Sequence, residues 1–403
     1  MSPAYRRLLP VVLCGGAIMG LSLGIRHVQG LFLLPVTADR HWTREAFAFA
    51  IAIQNLVWGF AQPFTGMLAD RFGTPRVLVG GVVVYAAGLL LMTLARTPGE
   101  FTLAAGVLVG IALSCTSFAT VYGAISRIVR PEQRPWALGV AGAIGGLGQF
   151  AMVPLAQGLI TSLQWSVALA VLAGIIAASA PASIMLSDRL AASGNARAQS
   201  IGEAIREAFG HRGFWLLNLG FLACGFQLAF IASHLPAYLL DKGLRASDGV
   251  ACLGIIALAN IGGTYCAGRL GGPYRRKYLL SGLYLLRSAA IALFVVVPLT
   301  PWSAYLFAAA MGFLWLGTVP LTNGLVAQIF GVRYLATLFG CVFIGHQVGS
   351  FLGVWLGGWA FDHTRSYDVV WVASIALGIV AAALHWPIDD REIHRPPLRA
   401  AAA

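Results

Sequence analysis

The segment Gly66-Met-Leu-Ala-Asp70-Arg71-Phe-Gly73-Thr-Pro-Arg76 is a short polar turn between two long apolar stretches. Each flanking stretch has roughly twenty residues, enough for a helix to cross the ~30 Å hydrocarbon core of a bilayer. The turn therefore predicts the end of one membrane-spanning helix and the start of the next. Only 10% of the 403 residues are charged and 58% are hydrophobic, whereas soluble domains carry about 25% charged residues. This composition excludes a soluble protein.

Similar polar, Pro-rich and Gly-rich breaks divide the whole chain into predicted spans. The twelve spans cover residues 9–36, 44–68, 75–95, 101–126, 135–160, 164–187, 212–240, 248–270, 277–298, 302–329, 333–360 and 368–387. The polar segment 188–211 separates spans six and seven and predicts a cytoplasmic linker with a short amphipathic helix around 200–209. We therefore predict an all-α membrane protein of two six-helix bundles, residues 1–187 and 212–388, followed by a cytoplasmic tail, residues 389–403.

The distribution of Lys and Arg predicts the orientation of the chain. With the N-terminus inside, nineteen of the 27 basic residues fall on the inner face and six on the outer face, which leaves two within spans. Short cytoplasmic loops carry such an excess of Lys and Arg. Both termini are therefore expected in the cytoplasm, and the protein in a bacterial inner membrane. The net charge of +12 is explained by this asymmetry, so nucleic-acid binding need not be invoked.

The two halves resemble each other at an offset of about 201 residues. Gly24-x-Arg26 and Pro35 in span one correspond to Gly225-x-Gln227 and Pro236 in span seven. Glycines of spans five and eleven, and the turns after spans two and eight, follow at nearly the same offset. Parallel six-helix repeats with a binding site at their interface are used by secondary transporters. The two bundles are therefore expected to be pseudo-symmetric.

The turn at residues 66–76 resembles the signature loop of the major facilitator superfamily, both in its spacing G-x-x-x-D-R-x-G and in its place between spans two and three. The resemblance implies the major facilitator fold and a latch at the cytoplasmic gate. The residues expected at this gate are Gly66, Asp70, Arg71, Gly73, Arg76 and Arg127. Asp70 would pair with the arginines or face a helix N-terminus, where an anion is stabilised. The alternative is a turn that only fixes the topology.

Three further stretches resemble the branch of this superfamily that contains monocarboxylate porters and oxalate:formate antiporters. They are residues 24–33, GIRHVQGLFL, residues 42–45, WTRE, and residues 345–362, which begin with Gly-His-Gln and end in Asp. The resemblance implies a small organic anion as the substrate. The sequence departs from the branch in span eight. There, monocarboxylate porters usually carry an Asp and an Arg one turn apart, and this chain has Asn260 and Thr264.

Two charged residues, Arg26 and Arg287, lie inside predicted spans, whereas all fifteen acidic residues are placed outside the membrane interior. An ionised Arg at the centre of a bilayer costs at least ~2.5 kcal/mol, and neither Arg has an obvious carboxylate partner. A substrate carboxylate would supply the missing charge. For Arg26, the alternative is snorkelling to the outer surface or bonding to carbonyls of a broken helix. For Arg287, in span nine, a structural role that ties backbone carbonyls is an equal alternative.

Further polar residues inside the spans are candidates for a substrate cavity. Together with Arg26 and Arg287 they are Gln29, Tyr122, Gln149, Gln227, His234, Asn260, Asn323 and Gln347. Gln29 shares a helical face with Arg26, because three residues make nearly one turn. Each of these side chains could instead form only an interhelical hydrogen bond. His346 is the candidate for proton coupling, because histidine titrates near neutral pH. A neutral histidine hydrogen-bonded between helices is the alternative.

The sequence therefore predicts a secondary transporter of a small organic anion, with a monocarboxylate as the favoured substrate, coupled to protons or to a counter-anion. An exporter of neutral or anionic drugs on the same fold is the alternative. A non-transporting sensor or an enzyme is less favoured, because no soluble signalling domain, nucleophile elbow or phosphate loop is visible. The six cysteines lie in apolar runs without metal-ligand spacing. We expect a monomer in the lipid bilayer, with no cofactor, metal or nucleic acid.

Overall fold

The computed structural model describes residues 3–130, 133–187, 200–331 and 334–393. Across these residues the chain is helical, without a strand, and twelve helical segments are long and apolar enough to cross a membrane. The prediction of twelve spans is therefore confirmed. Large apolar side chains are exposed on the helices, such as Leu94 at 69% and Val296 at 82%. Extensive apolar surface of this kind is suited to contact with lipid rather than with water.

The first bundle contains spans one to six. Its helices are α1 (Pro3–His27), α2 (Gln29–Arg40), α3 (Arg44–Phe72), α4 (Thr74–Leu94), α5 (Pro98–Phe101), α6 (Val109–Thr116), α7 (Phe118–Ile128), α8 (Arg134–Leu163) and α9 (Trp165–Ala178). A π-helical segment, Thr102–Leu108, joins α5 to α6, and a 3-10 segment, Ala180–Leu186, follows α9. Gly73 separates α3 from α4 with φ of 86°, a left-handed conformation that favours glycine.

A short helix, α10 (Ile201–Gly210), precedes the second bundle and confirms the helix predicted in the linker. Ser200 starts α10 by accepting the N–H of Glu203, whose carboxylate accepts the N–H of Ser200 in return. These hydrogen bonds lower the pKa of Glu203. Residues 188–199 of the predicted linker lie outside the described residues.

The second bundle contains spans seven to twelve. Its helices are α11 (Arg212–Asp241), α12 (Ala246–Leu270), α13 (Arg276–Val296), α14 (Pro301–Phe313), α15 (Thr318–Phe330), α16 (Leu335–Thr364) and α17 (Asp368–His385). Each bundle has its own core of buried apolar side chains. The boundaries of the helices follow the polar turns from which the spans were predicted.

Interruptions in three spans position the candidate site. Span one breaks at Val28 between α1 and α2, span four at Ser117 between α6 and α7, and span ten between α14 and α15. The break in span ten covers residues 314–317, and its last residue, Gly317, lies 200 residues after Ser117, close to the predicted offset of about 201. The breaks in spans four and ten therefore obey the predicted repeat. Span seven, the repeat partner of span one, is instead a single continuous helix, α11.

The two bundles meet along three helix pairs, which are α2 with α11, α3 with α16, and α8 with α12. Glycine permits the closest approach, because a Cβ on Gly30 of α2 would clash with the backbone of Ala232 on α11. A Cβ on Gly358 of α16 would lie 2.8 Å from the backbone of Glu45 on α3. The bundles are thus in contact at the end of the molecule where α2 ends and α3 begins.

A cluster of charged and polar side chains joins the bundles at this end. We name it the latch, and it consists of Arg44, Asp241, Asp362 and Tyr367. The guanidinium of Arg44 donates to both carboxylate oxygens of Asp241, at 2.5 and 2.8 Å, and to the hydroxyl of Tyr367 at 2.9 Å. The carboxylate of Asp362 accepts the backbone N–H groups of Arg44 and Glu45 at 3.3 and 2.6 Å. This places a negative charge at the N-terminus of α3, where the helix dipole stabilises it.

The segment that follows α17 folds back on the second bundle and forms a strap. Arg275, just before α13, donates to the carboxylate of Asp390 at 2.5 and 3.1 Å. Lys277 donates to the carbonyl of Ile388 at 2.6 Å, and the N–H of Ile393 donates to the carbonyl of Ile329 at 3.0 Å. The hydrogen bonds from Arg275 lower the pKa of Asp390. Residues 394–403 of the predicted tail lie outside the described residues.

Candidate functional site

Arg26 lies in the last turn of α1, two residues before the break at Val28. Its Nη2 donates to Oδ1 of Asn55 on α3 at 2.5 Å. The Cζ atom of Arg26 lies 5.0 Å from the ring centroid of Trp58 on the same helix, within range of a cation–π interaction. The Nε atom of Arg26 is buried and has no hydrogen-bond partner among the described residues. One donor of this intramembrane cation is therefore left open.

A small cavity lies beside Arg26 at the interface between the bundles. Its lining residues are Arg26, Gln29, Gly30, Ile51, Asn55, Ala229, Ala232 and Ser233. Gln29 is 5% exposed, and neither its amide oxygen nor its amide nitrogen has a hydrogen-bond partner within the described chain. The cavity thus collects unpaired polar atoms from span one and faces α11 of the other bundle.

The open groups of this cavity are suited to an anion. The Nε–H of Arg26 and the amide of Gln29 are donors, and hydrogen bonds from a guanidinium to a carboxylate are among the stronger ones in proteins. A buried donor without a partner costs about 1–3 kcal/mol, so an anion that accepts from both groups would remove this cost. The closed cavity has about 10 Å³ of space, room for about one water molecule. The bundles must therefore separate here before a substrate can enter.

Gln347 and His346 lie on α16, at the same bundle interface. Gln347 is 1% exposed and packs on α3, where a Cβ on Gly59 would lie 2.8 Å from its side chain. Its amide oxygen is 3.0 Å from Nδ1 of His346, and its amide nitrogen is another buried donor without a partner in the described structure. The ring of His346 stacks on Phe343, with centroids 5.2 Å apart. Gln347 therefore faces the first bundle, whereas the ring of His346 also packs on Phe221 of α11, 4.8 Å away between centroids. Neither residue lines the cavity around Arg26.

Three other predicted site residues lie elsewhere in the spans. Tyr122 on α7 packs against α8, where a Cβ on Gly142 would lie 2.7 Å from its hydroxyl. Gln149 on α8 is 7% exposed, and Asn323 on α15 is partly buried. The structure does not bring these three side chains into the cavity beside Arg26.

Gln227, His234 and Asn260, which were predicted as candidates for the substrate cavity, are bonded inside the second bundle and do not line the cavity beside Arg26. The amide of Gln227 donates to the carbonyl of Ser374 at 2.9 Å, and Nε2 of His234 lies 2.8 Å from the carbonyl of Val354. The amide oxygen of Asn260 accepts the N–H of Leu316 at 3.1 Å. Each side chain thus has a hydrogen bond to a backbone group of its own bundle, whereas the amide oxygen of Gln227 and Nδ1 of His234 are buried without a partner among the described residues.

Arg287 also lies outside the cavity, because it holds together the break in span ten. Its Nε and Nη2 donate to the carbonyl of Leu314 at 2.9 and 2.5 Å, and Nη2 also donates to the carbonyl of Trp315. Its Nη1 lies 3.2 Å from the sulfur of Cys224 on α11, and the whole residue is 0% exposed. This geometry corresponds to the structural alternative that the sequence left open.

The predicted cytoplasmic gate is described in part. Gly66 lies within α3, and Gly73 separates α3 from α4. The side chain of Arg127 donates to the hydroxyl of Thr74 at 2.8 Å, and that of Arg76 donates to the carbonyl of Phe72 at 3.2 Å. The backbone of residues 70–71 is part of α3, but the side chains of Asp70 and Arg71 lie outside the described structure.

Sequence reasoning missed Asn55, Trp58 and the latch. A polar Asn in an apolar span was visible, but the sequence did not show which helix it faces. The latch residues Arg44, Asp241 and Asp362 lie at or just beyond the ends of the predicted spans 44–68, 212–240 and 333–360. This shared location at span ends was the available signal. Neither the contact between Arg26 and Asn55 nor that between Arg44 and Asp241 follows from spacing, because each joins different helices.

Twelve spans in two packed bundles, with a polar cavity between them, define a multi-pass membrane transporter. Residues 12–353 match the family model described as Major Facilitator Superfamily. The chain belongs to this superfamily and is a transporter rather than an enzyme. The predicted family and fold class are thereby confirmed.

The relatives include proteins that are named as transporters of carboxylates. The chain is 25% identical to monocarboxylate transporter 13 of Rattus norvegicus, an alignment that covers 90% of this chain and 85% of that protein. It is 24% identical to the oxalate:formate antiporter of Oxalobacter formigenes, with coverages of 91% and 88%. Its fold is similar to the crystal structure of a bacterial homolog of the human lysosomal transporter Spinster in an inward-facing and occupied conformation. That comparison has a TM-score of 0.70 at 17% identity and covers 96% of this chain and 97% of the other.

Proposed function

We propose that this protein is a secondary transporter of a small organic anion, with a monocarboxylate as the favoured substrate, across the inner membrane. The observation that carries the proposal is the open Nε donor of Arg26 beside the unpaired amide of Gln29 in a cavity between the bundles. An intramembrane cation is by default a functional-site hypothesis, and the open donor of Arg26 could bind an oxygen of an anionic substrate. The two relatives named for carboxylate transport support the same substrate class.

The conformation supports transport by alternating access. The positive-inside pattern predicts that the latch faces the outside and both termini face the cytoplasm. On this assignment the structure has its outer side closed by Arg44 and Asp241, which are bonded across the bundles. The similar solved structure is inward-facing. We infer that opening of the latch would expose the cavity beside Arg26 to the outside.

Substitution of Arg26 tests the proposal. Arg26→Gln should lower the kcat/KM for uptake of a labelled monocarboxylate into proteoliposomes by about 30-fold or more, because the substrate would lose a charged partner. Arg26→Lys should retain part of the activity. Arg96→Gln removes an exposed cation and serves as the matched control, for which we expect wild-type uptake. Wild-type uptake by a correctly inserted Arg26→Gln protein would exclude the proposed site.

The coupling ion is either a proton or a counter-anion. His346 lies at the bundle interface beside Gln347 and is the proposed proton carrier. To separate the two mechanisms, proteoliposomes would be given an inward pH gradient without internal substrate. Accumulation by the wild type but not by His346→Gln would support proton coupling through His346. Accumulation by both proteins would place the proton on the substrate. Uptake that occurs only with internal anion would indicate anion-for-anion exchange. We propose that the transporting unit is a monomer.

A further inference from the structure

Asn55 presents a neutral oxygen to the guanidinium of Arg26. Its amide nitrogen donates to the carbonyl of Ile51, one turn earlier on α3, at 2.8 Å. Its oxygen therefore points away from its own backbone and accepts from Arg26 Nη2 at 2.5 Å. Asn55 is 0% exposed, and Arg26 is partly buried. The orientation of the amide is thus fixed from both ends.

Trp58 holds the face of the same guanidinium. Its ring lies 5.0 Å from Cζ of Arg26, and its indole N–H donates to Gln62 at 3.0 Å and to Ser117 at 3.2 Å. Ser117 is the residue at which span four breaks. Asn55 therefore holds the guanidinium at its Nη2 edge, and Trp58 holds it at its face. The Nε–H of Arg26 remains without a partner in the described chain.

We propose that Asn55 is a positioning residue that makes the Arg26 site selective for anions. This inference rests on the proposed function of Arg26. A neutral amide orients the guanidinium without neutralising it, so the positive charge stays available to a substrate. A carboxylate in the same place would form an ion pair with Arg26 and remove the need for an anion. The anion-accepting character of the site therefore depends on the amide at Asn55 as well as on Arg26.

The decisive variant is Asn55→Asp, measured by uptake of a labelled monocarboxylate across a range of pH. The introduced carboxylate should lower kcat/KM by about 10-fold or more at neutral pH, because a hydrogen-bonded charged partner now competes with the substrate. Because pairing with Arg26 lowers the pKa of the introduced carboxyl group, this loss should persist over the whole pH range of the assay. Asn55→Ala should raise the KM several-fold, and Asn55→Gln, which keeps an amide, should restore part of the affinity.

Gln54 provides a matched control on the same helix. It is also a buried amide, but it donates to the carbonyl of Ala105, away from Arg26. Gln54→Ala should leave the KM and its pH dependence unchanged. Equal losses of uptake in Asn55→Asp and Asn55→Ala at every pH would overturn the inference, and so would loss of folded protein in both. If Arg26→Gln lost uptake while both Asn55 variants kept the wild-type KM, only this inference would fail and the proposed function would stand.

Discussion

Arg26 and Arg287 are the same residue type inside the two bundles, yet their surroundings differ. Arg287 is enclosed by its own bundle, and its guanidinium donates to the carbonyls of Leu314 and Trp315 at the break in span ten. Arg26 lies at the interface between the bundles, bonded to Asn55 and with one donor open. This difference is the reason for which we propose Arg26, and not Arg287, as the ligand-binding arginine.

The two breaks in spans four and ten explain why the arginines can differ. In the first bundle, the carbonyl of Ser114 beside the break accepts from neutral side chains, from Gln62 at 3.1 Å and from Thr65 at 3.2 Å. In the second bundle, Arg287 performs the corresponding task. Because neutral groups satisfy the break in span four, Arg26 is not required there. Its charge is available to the interface.

The largest effect is expected from Arg287→Gln, which tests the structural half of the comparison. The variant leaves buried carbonyls at Leu314 and Trp315 without their donor, and each unsatisfied group costs about 1–3 kcal/mol. We expect the apparent free energy of unfolding in detergent to fall by about 3 kcal/mol or more. Arg287→Lys, which keeps a donor, should lose less. A stable Arg287→Gln protein that only fails to transport would instead make Arg287 a substrate residue.

The next largest effect concerns ligand-induced stability at Arg26. At one hundred times Kd, a ligand that binds only the folded state stabilises it by about 2.7 kcal/mol. Saturating monocarboxylate should therefore raise the melting temperature of the wild type but not that of Arg26→Gln. Arg287→Lys should keep this increase, because Arg287 does not face the cavity. An equal increase in wild type and Arg26→Gln would place the anion elsewhere.

The sequence predicted the fold because the relevant signals are local. Apolar length gave the twelve spans, and the polar segment before span seven gave helix α10. The offset between the halves matched the breaks at Ser117 and at residues 314–317 to within a few residues. The two intramembrane arginines were also evident, because a charged residue inside an apolar run is visible from the local sequence alone.

The surroundings of the arginines could not be predicted, because they depend on packing between distant segments. Gln227 is the repeat equivalent of Arg26, yet it bonds the carbonyl of Ser374 on α17, since α11 is continuous where span one is broken. Arg26 meets Asn55 across two helices, and Arg287 meets Leu314 across another pair. Which face of each helix meets its neighbour is decided by shape, which hydropathy does not encode.

A smaller effect is expected from the latch, which joins the two bundles. Its opening should change access to the interface around Arg26 but not to the interior of the second bundle around Arg287. Asp241→Asn weakens the ion pair with Arg44, a partly exposed interaction worth about 1 kcal/mol or less. That change should shift molecules toward states open at the latch. In a Ser233→Cys background, labelling at position 233 beside Arg26 should increase several-fold. Native Cys224, which is 0% exposed beside Arg287, should stay unlabelled. Unchanged labelling at position 233 would mean that the latch does not control the cavity.

The smallest effect is expected from the strap, which ties the segment after α17 to the start of α13, the helix that also carries Arg287. Arg275 precedes α13 and binds Asp390, whose pKa is lowered by that contact. A lowered carboxyl pKa stabilises the folded state above the unfolded pKa of about 3.9, and this stability is lost as the pH falls through the folded pKa. Asp390→Asn should therefore lower stability by under about 1 kcal/mol at neutral pH, because Arg275 is exposed. The difference from wild type should vanish in melting curves recorded at decreasing pH. A difference that persists at low pH would assign the strap's contribution to packing around Ile388, which is 0% exposed, rather than to the ion pair.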